Sequence, residues 1–190
     1  MSAVAAPTLM TTEELLALPD KDVERWLIYG QLREKAMTKR NRWHSRVMAR
    51  LARFLDTWVE KLPEPHGSVL CGEVGCRLAH NPDVTVGIDV AYIGPELAAQ
   101  EPEDTRLIDG VPILAAEILS PNDTTEEIDE KVEAYLAAGV AVVWIVNPRH
   151  RTVTVYRQGA EPELFNASHT LTAEPHLPGF SVPVAAIFAK

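Results

Sequence analysis

The chain has 190 residues, 46% hydrophobic and 24% charged, an ordinary globular composition long enough for a sizeable core. Its net charge of −9 argues against non-specific binding to nucleic acid, which needs a basic surface to neutralise phosphates. The longest uncharged apolar stretch, Ala137 to Val146, is far shorter than the roughly 20 residues that span a bilayer.

Residues 1–10 read as a flexible N-terminus, and residues 11–190 as a single domain. The first ten lack the basic segment and apolar run of a signal peptide, so the chain is expected to stay in a reducing cytoplasm with both cysteines as free thiols. Thr11-Thr-Glu-Glu before Leu15, Leu16 and Leu18 has the spacing of a capping box. It predicts a short helix, stopped by Pro19-Asp20, that packs as a lid or edge. Gly30, between two β-prone stretches within Trp26 to Leu32, predicts a hairpin.

From Arg42 to Leu62, Val47, Leu51, Phe54, Leu55, Trp58 and Leu62 recur at helical spacing and predict a long amphipathic helix. Arg33, Lys35, Lys39, Arg40, Arg42, Arg46, Arg50 and Arg53 face one acid, Glu34, so a basic segment sits on an acidic body. Arg42, Arg46, Arg50 and Arg53 form one ridge opposite the apolar face. That ridge reads either as a solvated polar face or as a nucleic-acid-binding face that contacts phosphates.

Pro63-Glu-Pro-His-Gly ends the helix. Val69 to Leu78, and Val84 or Thr85 to Ile93, then predict an antiparallel pair around a turn at Asn81-Pro82-Asp83. Asp89 lies in the second strand and shares a face with Ala91 and Ile93, so its carboxylate points inward if that face does. Residues 94–112 read as a surface loop. Ile113 to Ser120 reads as a central strand covered on both faces, although periodicity alone leaves a buried helix segment open, and it is interrupted by an acid, Glu117. A carboxylate there costs several kcal/mol unless a cation or hydrogen-bond donors compensate.

Thr124 or Thr125 caps a helix through Ala138, stopped by Gly139, with Ile128, Val132, Tyr135 and Leu136 as its apolar face and Lys131 at the margin. Val140 to Val146 is a further strand, giving a strand, helix, strand unit that favours parallel pairing. Thr152 to Tyr156, Glu163 to Phe165 and Thr170 to Thr172 read as a meander, and Leu177-Pro-Gly-Phe-Ser-Val-Pro closes against the body. The fold class is α/β, a mixed sheet flanked by helices.

Two strand carboxylates and a helix lysine can hold hard Mg²⁺ or Mn²⁺ and orient a water for phosphodiester hydrolysis. His66, Cys71, Cys76 and His80 form a weaker zinc set, since Cys71 and Cys76 differ in strand parity and no CxxC pair exists. There is no glycine-rich phosphate loop and no Gly-x-Ser-x-Gly elbow.

Asp89-Val-Ala-Tyr-Ile, Gly110-Val-Pro-Ile-Leu-Ala-Ala-Glu117-Ile-Leu-Ser-Pro121, Lys131 with Tyr135 and Ala138-Gly139-Val140, and Val142-Val-Trp144-Ile-Val-Asn-Pro148 resemble the Uma-two family. That family is described as putative restriction endonucleases, within the PD-(D/E)XK nuclease superfamily. The resemblance implies a restriction-endonuclease-like fold, hydrolysis of DNA with Mg²⁺ or Mn²⁺, and a homodimer. It implies Asp89 and Glu117 as metal-binding acids and Lys131 as the replacement for the strand lysine, whose position Leu119 occupies. His44 also matches a family position. Ile88 stands where the family has Pro, and Trp26 and Tyr29 where an early Glu and Asp are common, with Glu24 two positions earlier as an accessory acid. Pro82-Asp83 lies six residues too early for the family's spacing to Glu117. The departures open a second reading, a nuclease fold retained for binding or assembly without a metal site.

Overall fold

The computed structural model describes residues 8–189 except residues 20, 37–40, 101, 103 and 104. Residues 1–7 of the expected flexible N-terminus, Asp20 of the first helix stop, and Lys39 and Arg40 of the basic segment therefore lie outside the described residues.

The capping box forms as its spacing requires. The Thr11 hydroxyl accepts the Glu14 N–H and the Glu14 carboxylate accepts the Thr11 N–H, starting α1 (Thr12–Leu16). Tyr29 and Gly30 both take positive φ, 50° and 73°, as a two-residue type I′ turn demands. They join β1 (Val23–Ile28) to β2 (Gln31–Ala36) in a hairpin longer at both ends than the stretch read from sequence. Helix α2 (Arg42–Val59) begins at Asn41, whose side chain accepts the N–H groups of Trp43 and His44, and it buries Val47, Leu51, Leu55 and Trp58.

β3 (Ser68–Ala79) and β4 (Val84–Ile93) pair antiparallel, with a bulge between Cys71 and Val74 where Gly72 and Glu73 have positive φ. The stretch read as a surface loop instead holds α3 (Pro95–Gln100) and β5 (Ile108–Asp109). Pro95 suits a first helical turn, and β5 is held by parallel pairing with Cys76 and Arg77, a long-range contact that a two-residue strand cannot announce by periodicity.

β6 (Leu114–Ile118) is buried at every position, as its apolar run predicts. Thr124 caps α4 (Thr125–Ala138), Gly139 ends it in the left-handed conformation, and β7 (Val142–Asn147) returns parallel to β6 with Ile118 opposite Val146. β8 (Thr152–Tyr156) and β9 (Glu163–Phe165) extend the sheet antiparallel. The meander does not continue: β10 (Thr170–Ala173) pairs with β11 (Leu177–Pro183) in a separate two-stranded sheet before α5 (Val184–Ile187). Leu171, Leu177 and Phe180 are buried against the α2 side of the main sheet, and that burial takes precedence over edge pairing.

Among the described residues the main sheet has nine strands, in the order β2-β1-β4-β6-β7-β8-β9, with β3 on β4 and β5 on β3. It is a mixed sheet flanked by helices, as expected. One face packs α2, α5 and β10–β11 around Leu51, Leu114 and Trp144; the other packs α4 around Tyr135, Ala115 and Val143. Because β3 occupies one edge of β4 along most of its length, β1 and β6 share the other. β1 meets β4 at Thr85 and β6 meets it at Val90 to Tyr92, so the sheet forks between these contacts, where Asp89 lies. Among the described residues no helix is long and apolar enough to cross a membrane.

Asp83 fastens α1 to this frame. Its Oδ2 accepts the Thr12 N–H at 2.7 Å and the Thr12 hydroxyl at 2.6 Å, and Oδ1 accepts the Asn81 N–H at 3.3 Å. Burial pushes its carboxyl pKa up, but these hydrogen bonds outweigh burial and hold it below the usual range. Asp83→Asn should cost about 1–3 kcal/mol of stability at pH 7. A depressed pKa gives stability that is present above the unfolded value and lost as pH falls through the folded one, so the deficit should close in acid. Urea denaturation at pH 7 and pH 3 checks both the size and the sign.

Candidate active site

The fork in the sheet opens a cleft of about 430 Å³. Leu15 and Leu16 of α1 form one wall, so α1 is an edge of this cleft; Glu24 and Trp26 of β1, Asp89 of β4, Glu117 of β6 and Lys131 of α4 are among the residues that line the rest.

Asp89 is only 3% exposed. Strict alternation breaks beside it, since Ile88 packs in the α4-side core and Val90 in the α2-side core. Oδ2 accepts the Ile118 N–H at 2.7 Å and lies 3.1 Å from Nε2 of His44, a fully buried side chain on α2. Asp89 Oδ1 is also buried and has no hydrogen-bond partner among the described residues.

Glu117 meets two side chains from one face of α4. Lys131 Nζ lies 3.2 Å from Oε2, and the Tyr135 hydroxyl donates to Oε1 at 2.5 Å. Burial pushes the Glu117 carboxyl pKa up; the Lys131 charge opposes this and the neighbouring Asp89 charge adds to it. The Tyr135 phenol is pushed well above its usual value by burial and then by Glu117, so it stays a donor. The Lys131 ammonium also sits 5.7 Å from the centroid of the Trp26 ring.

The structure thus brings Asp89, Glu117 and Lys131 into one cleft and places Glu24 on its wall. Trp26 offers Lys131 an aromatic face, and Tyr29 lies exposed in the hairpin turn. The arginine ridge is elsewhere and divided. Arg42 and Arg46 line a second hollow, Arg50 reaches the Ala186 carbonyl and Arg53 lies over the Phe54 ring. The four zinc candidates are not gathered: Cys71 is exposed, Cys76 is buried, His66 bonds the neighbouring Gly67 carbonyl and His80 bonds Asp109. Among the described residues no three His, Cys, Asp or Glu side chains are grouped to hold a metal.

Sequence reasoning placed Tyr135 on the apolar face of its helix and missed its bond to Glu117. The available signal was its spacing of four from Lys131, which stacks the two side chains on one face. The link from His44 to Asp89 had no local signal. Tyr135→Phe should destabilise the protein by about 1–2 kcal/mol by leaving Glu117 Oε1 without its donor. Thermal melts at neutral pH check this.

Residues 12–185 match the model of the Uma2 family, described as "Putative restriction endonuclease". A crystal structure of a putative nuclease belonging to DUF820, from Anabaena variabilis ATCC 29413, is similar with a TM-score of 0.79. The likeness covers 96% of this chain and 98% of that one at 20% identity. At that identity it speaks for the fold, which is restriction-endonuclease-like. No curated protein matches the chain in sequence.

Proposed function

Because the chain belongs to the Uma2 family of putative restriction endonucleases, we propose that it is a divalent-metal-dependent nuclease that hydrolyses DNA phosphodiester bonds in the cleft around Asp89 and Glu117. The observation that carries this reading is Asp89 Oδ1, a buried carboxylate oxygen without a partner among the described residues, in a cleft with a second buried carboxylate, Glu117, whose ionisation the Asp89 charge disfavours. An unpartnered carboxylate oxygen beside a second carboxylate fits a hard cation, and Mg²⁺ is commonly held by one or two carboxylates, with water and substrate phosphate completing its shell.

In this reading Asp89 and Glu117 hold Mg²⁺ or Mn²⁺, with Glu24 as an accessory acid on the cleft wall. When bound, the ion supplies charge neutralisation at the phosphate and a water of lowered pKa. The chain's own groups do the positioning. The Ile118 N–H and His44 fix the Asp89 carboxylate, and Tyr135 fixes Glu117. Lys131, held between Glu117 and the Trp26 ring, orients the attacking water and offsets charge on the phosphate. Nuclease assays with Mg²⁺ and Mn²⁺ on supercoiled, linear duplex and single-stranded DNA test the proposal. Cleavage by Asp89→Ala or Lys131→Ala protein at the wild-type rate would sink it.

A second reading, a nuclease fold kept for binding or assembly, is favoured by Trp26 in place of the early acid and by the engagement of Glu117 with Lys131 and Tyr135. It requires that Mn²⁺ not bind at Asp89.

A further inference from the structure

The hollow beside α2, about 380 Å³, is lined by Arg42, Trp43 and Arg46 from α2 and by Arg149 and Arg151 from the β7–β8 turn. None of these four arginines has an ion-pair partner among the described residues, although the protein carries nine more acids than bases. Arg42 opens α2 with no acid in the first turn, so like charge stands at the positive end of an 18-residue helix. Arg151 is held at a φ of 55°, in the left-handed region that its side chain disfavours. The like charge at that helix end is unfavourable, and a bound anion would relieve it.

Trp43 adds a second kind of contact. Trp26, Trp58 and Trp144 are buried, whereas Trp43 is 58% exposed, at the rim of the arginine hollow. A flat exposed indole among unpaired guanidinium groups has the chemistry of a surface for unpaired nucleotides, in which the base stacks and the phosphates meet cations.

The topology ties this hollow to the cleft. β6 and β7 run parallel with Ile118 opposite Val146, so the turn carrying Arg149 and Arg151 leaves the same end of the sheet as Glu117. Trp43 precedes His44, whose ring touches Asp89. We infer that Trp43 with Arg42, Arg46, Arg149 and Arg151 forms a docking surface for single-stranded DNA, which leads an unpaired segment of the substrate toward Asp89 and Glu117. The path toward the cleft rests on the nuclease reading; the binding surface itself does not. The family's description as restriction endonucleases favours DNA over RNA as the strand.

The test is fluorescence anisotropy of a labelled 20-nucleotide single strand, its duplex and the same sequence as RNA, in EDTA and across a salt series. Wild type should bind the single strand more tightly than duplex or RNA. Trp43→Ala should weaken single-strand binding by about tenfold, the scale of one lost base stack, and Trp43→Phe should restore most of it. Arg149→Glu with Arg151→Glu should weaken binding and flatten its salt dependence, while Lys61→Glu, in the turn just past the far end of α2, should not. Circular dichroism checks that each variant is folded. Wild-type binding that favours duplex or RNA, absent binding, or folded Trp43→Ala protein that binds as wild type overturns the inference. The two proposals fail separately. Metal-dependent cleavage with unaltered binding by the patch variants removes this surface and keeps the nuclease; binding that needs Trp43 without cleavage under any metal does the reverse.

Discussion

Titrated calorimetrically with Mn²⁺, wild-type protein is expected to give a saturable binding isotherm and Asp89→Asn protein none. The substitution is nearly isosteric, and the Ile118 N–H can still be accepted by the amide oxygen, so the fold should survive. What is lost is the charge near Glu117 and one anionic oxygen, Oδ1, that no donor among the described residues uses. At a concentration of 100 times its Kd, Mn²⁺ should stabilise the wild type by about 2.7 kcal/mol, and the variant not at all. Loss of the ion removes several kcal/mol of transition-state stabilisation, so DNA cleavage should fall by about 10³-fold. A flat wild-type isotherm, even with DNA present, would transfer support to the binding-module reading.

Lys131→Met is expected to be the most destabilising of the conservative changes in the cleft, and its cost should depend on pH. The Glu117 carboxyl already titrates above its ordinary value, chiefly because it is buried, with Lys131 holding that rise in check. Removing the cation raises the folded pKa further while leaving the unfolded one unchanged. A group with a raised folded pKa contributes stability that is complete below its unfolded pKa and is lost as pH rises through the folded one. Wild type and Lys131→Met should therefore be nearly equal in stability near pH 4, and diverge as pH rises. At pH 8 the deficit should reach about 3 kcal/mol, the low end for a broken buried pair, because the Lys131 side chain remains 18% exposed. Urea denaturation at pH 4, 6 and 8 measures the gap. A gap of constant size would mean that Lys131 acts through packing of its stem on Trp26 and not through its charge. Adding Mn²⁺ at pH 8 should narrow the gap if the ion takes over the neutralisation of Glu117.

Much of this was written locally in the chain. The Thr11 capping box, the Thr124 cap, the Gly139 stop, the apolar face of α2 and the fully buried β6 follow from spacing and composition within a few residues, because the forces that set them act within a turn or along one strand. Glu117 was conspicuous for the same reason, an acid in an apolar strand. Asp89, Glu117 and Lys131 were each identifiable in the sequence. Tertiary structure alone decided that they share a cleft, since β4 passes from β1 to β6 at Asp89 and so opens the sheet there. It also decided that α3 and β5 interrupt the 94–112 stretch, and that β10–β11 leaves the meander to cover the core, since both depend on partners distant in sequence. Tyr135 reads as a core residue until Glu117 is placed opposite it, and His44 as a helix residue until Asp89 is. The four arginines of α2 form one ridge by periodicity; neighbouring elements divide them, as Arg50 meets α5 and the turn bearing Arg149 and Arg151 comes to Arg42 and Arg46. Periodicity determines which face a side chain lies on, whereas its partner, and with it its charge balance and chemistry, is set by whichever distant segment packs against that face.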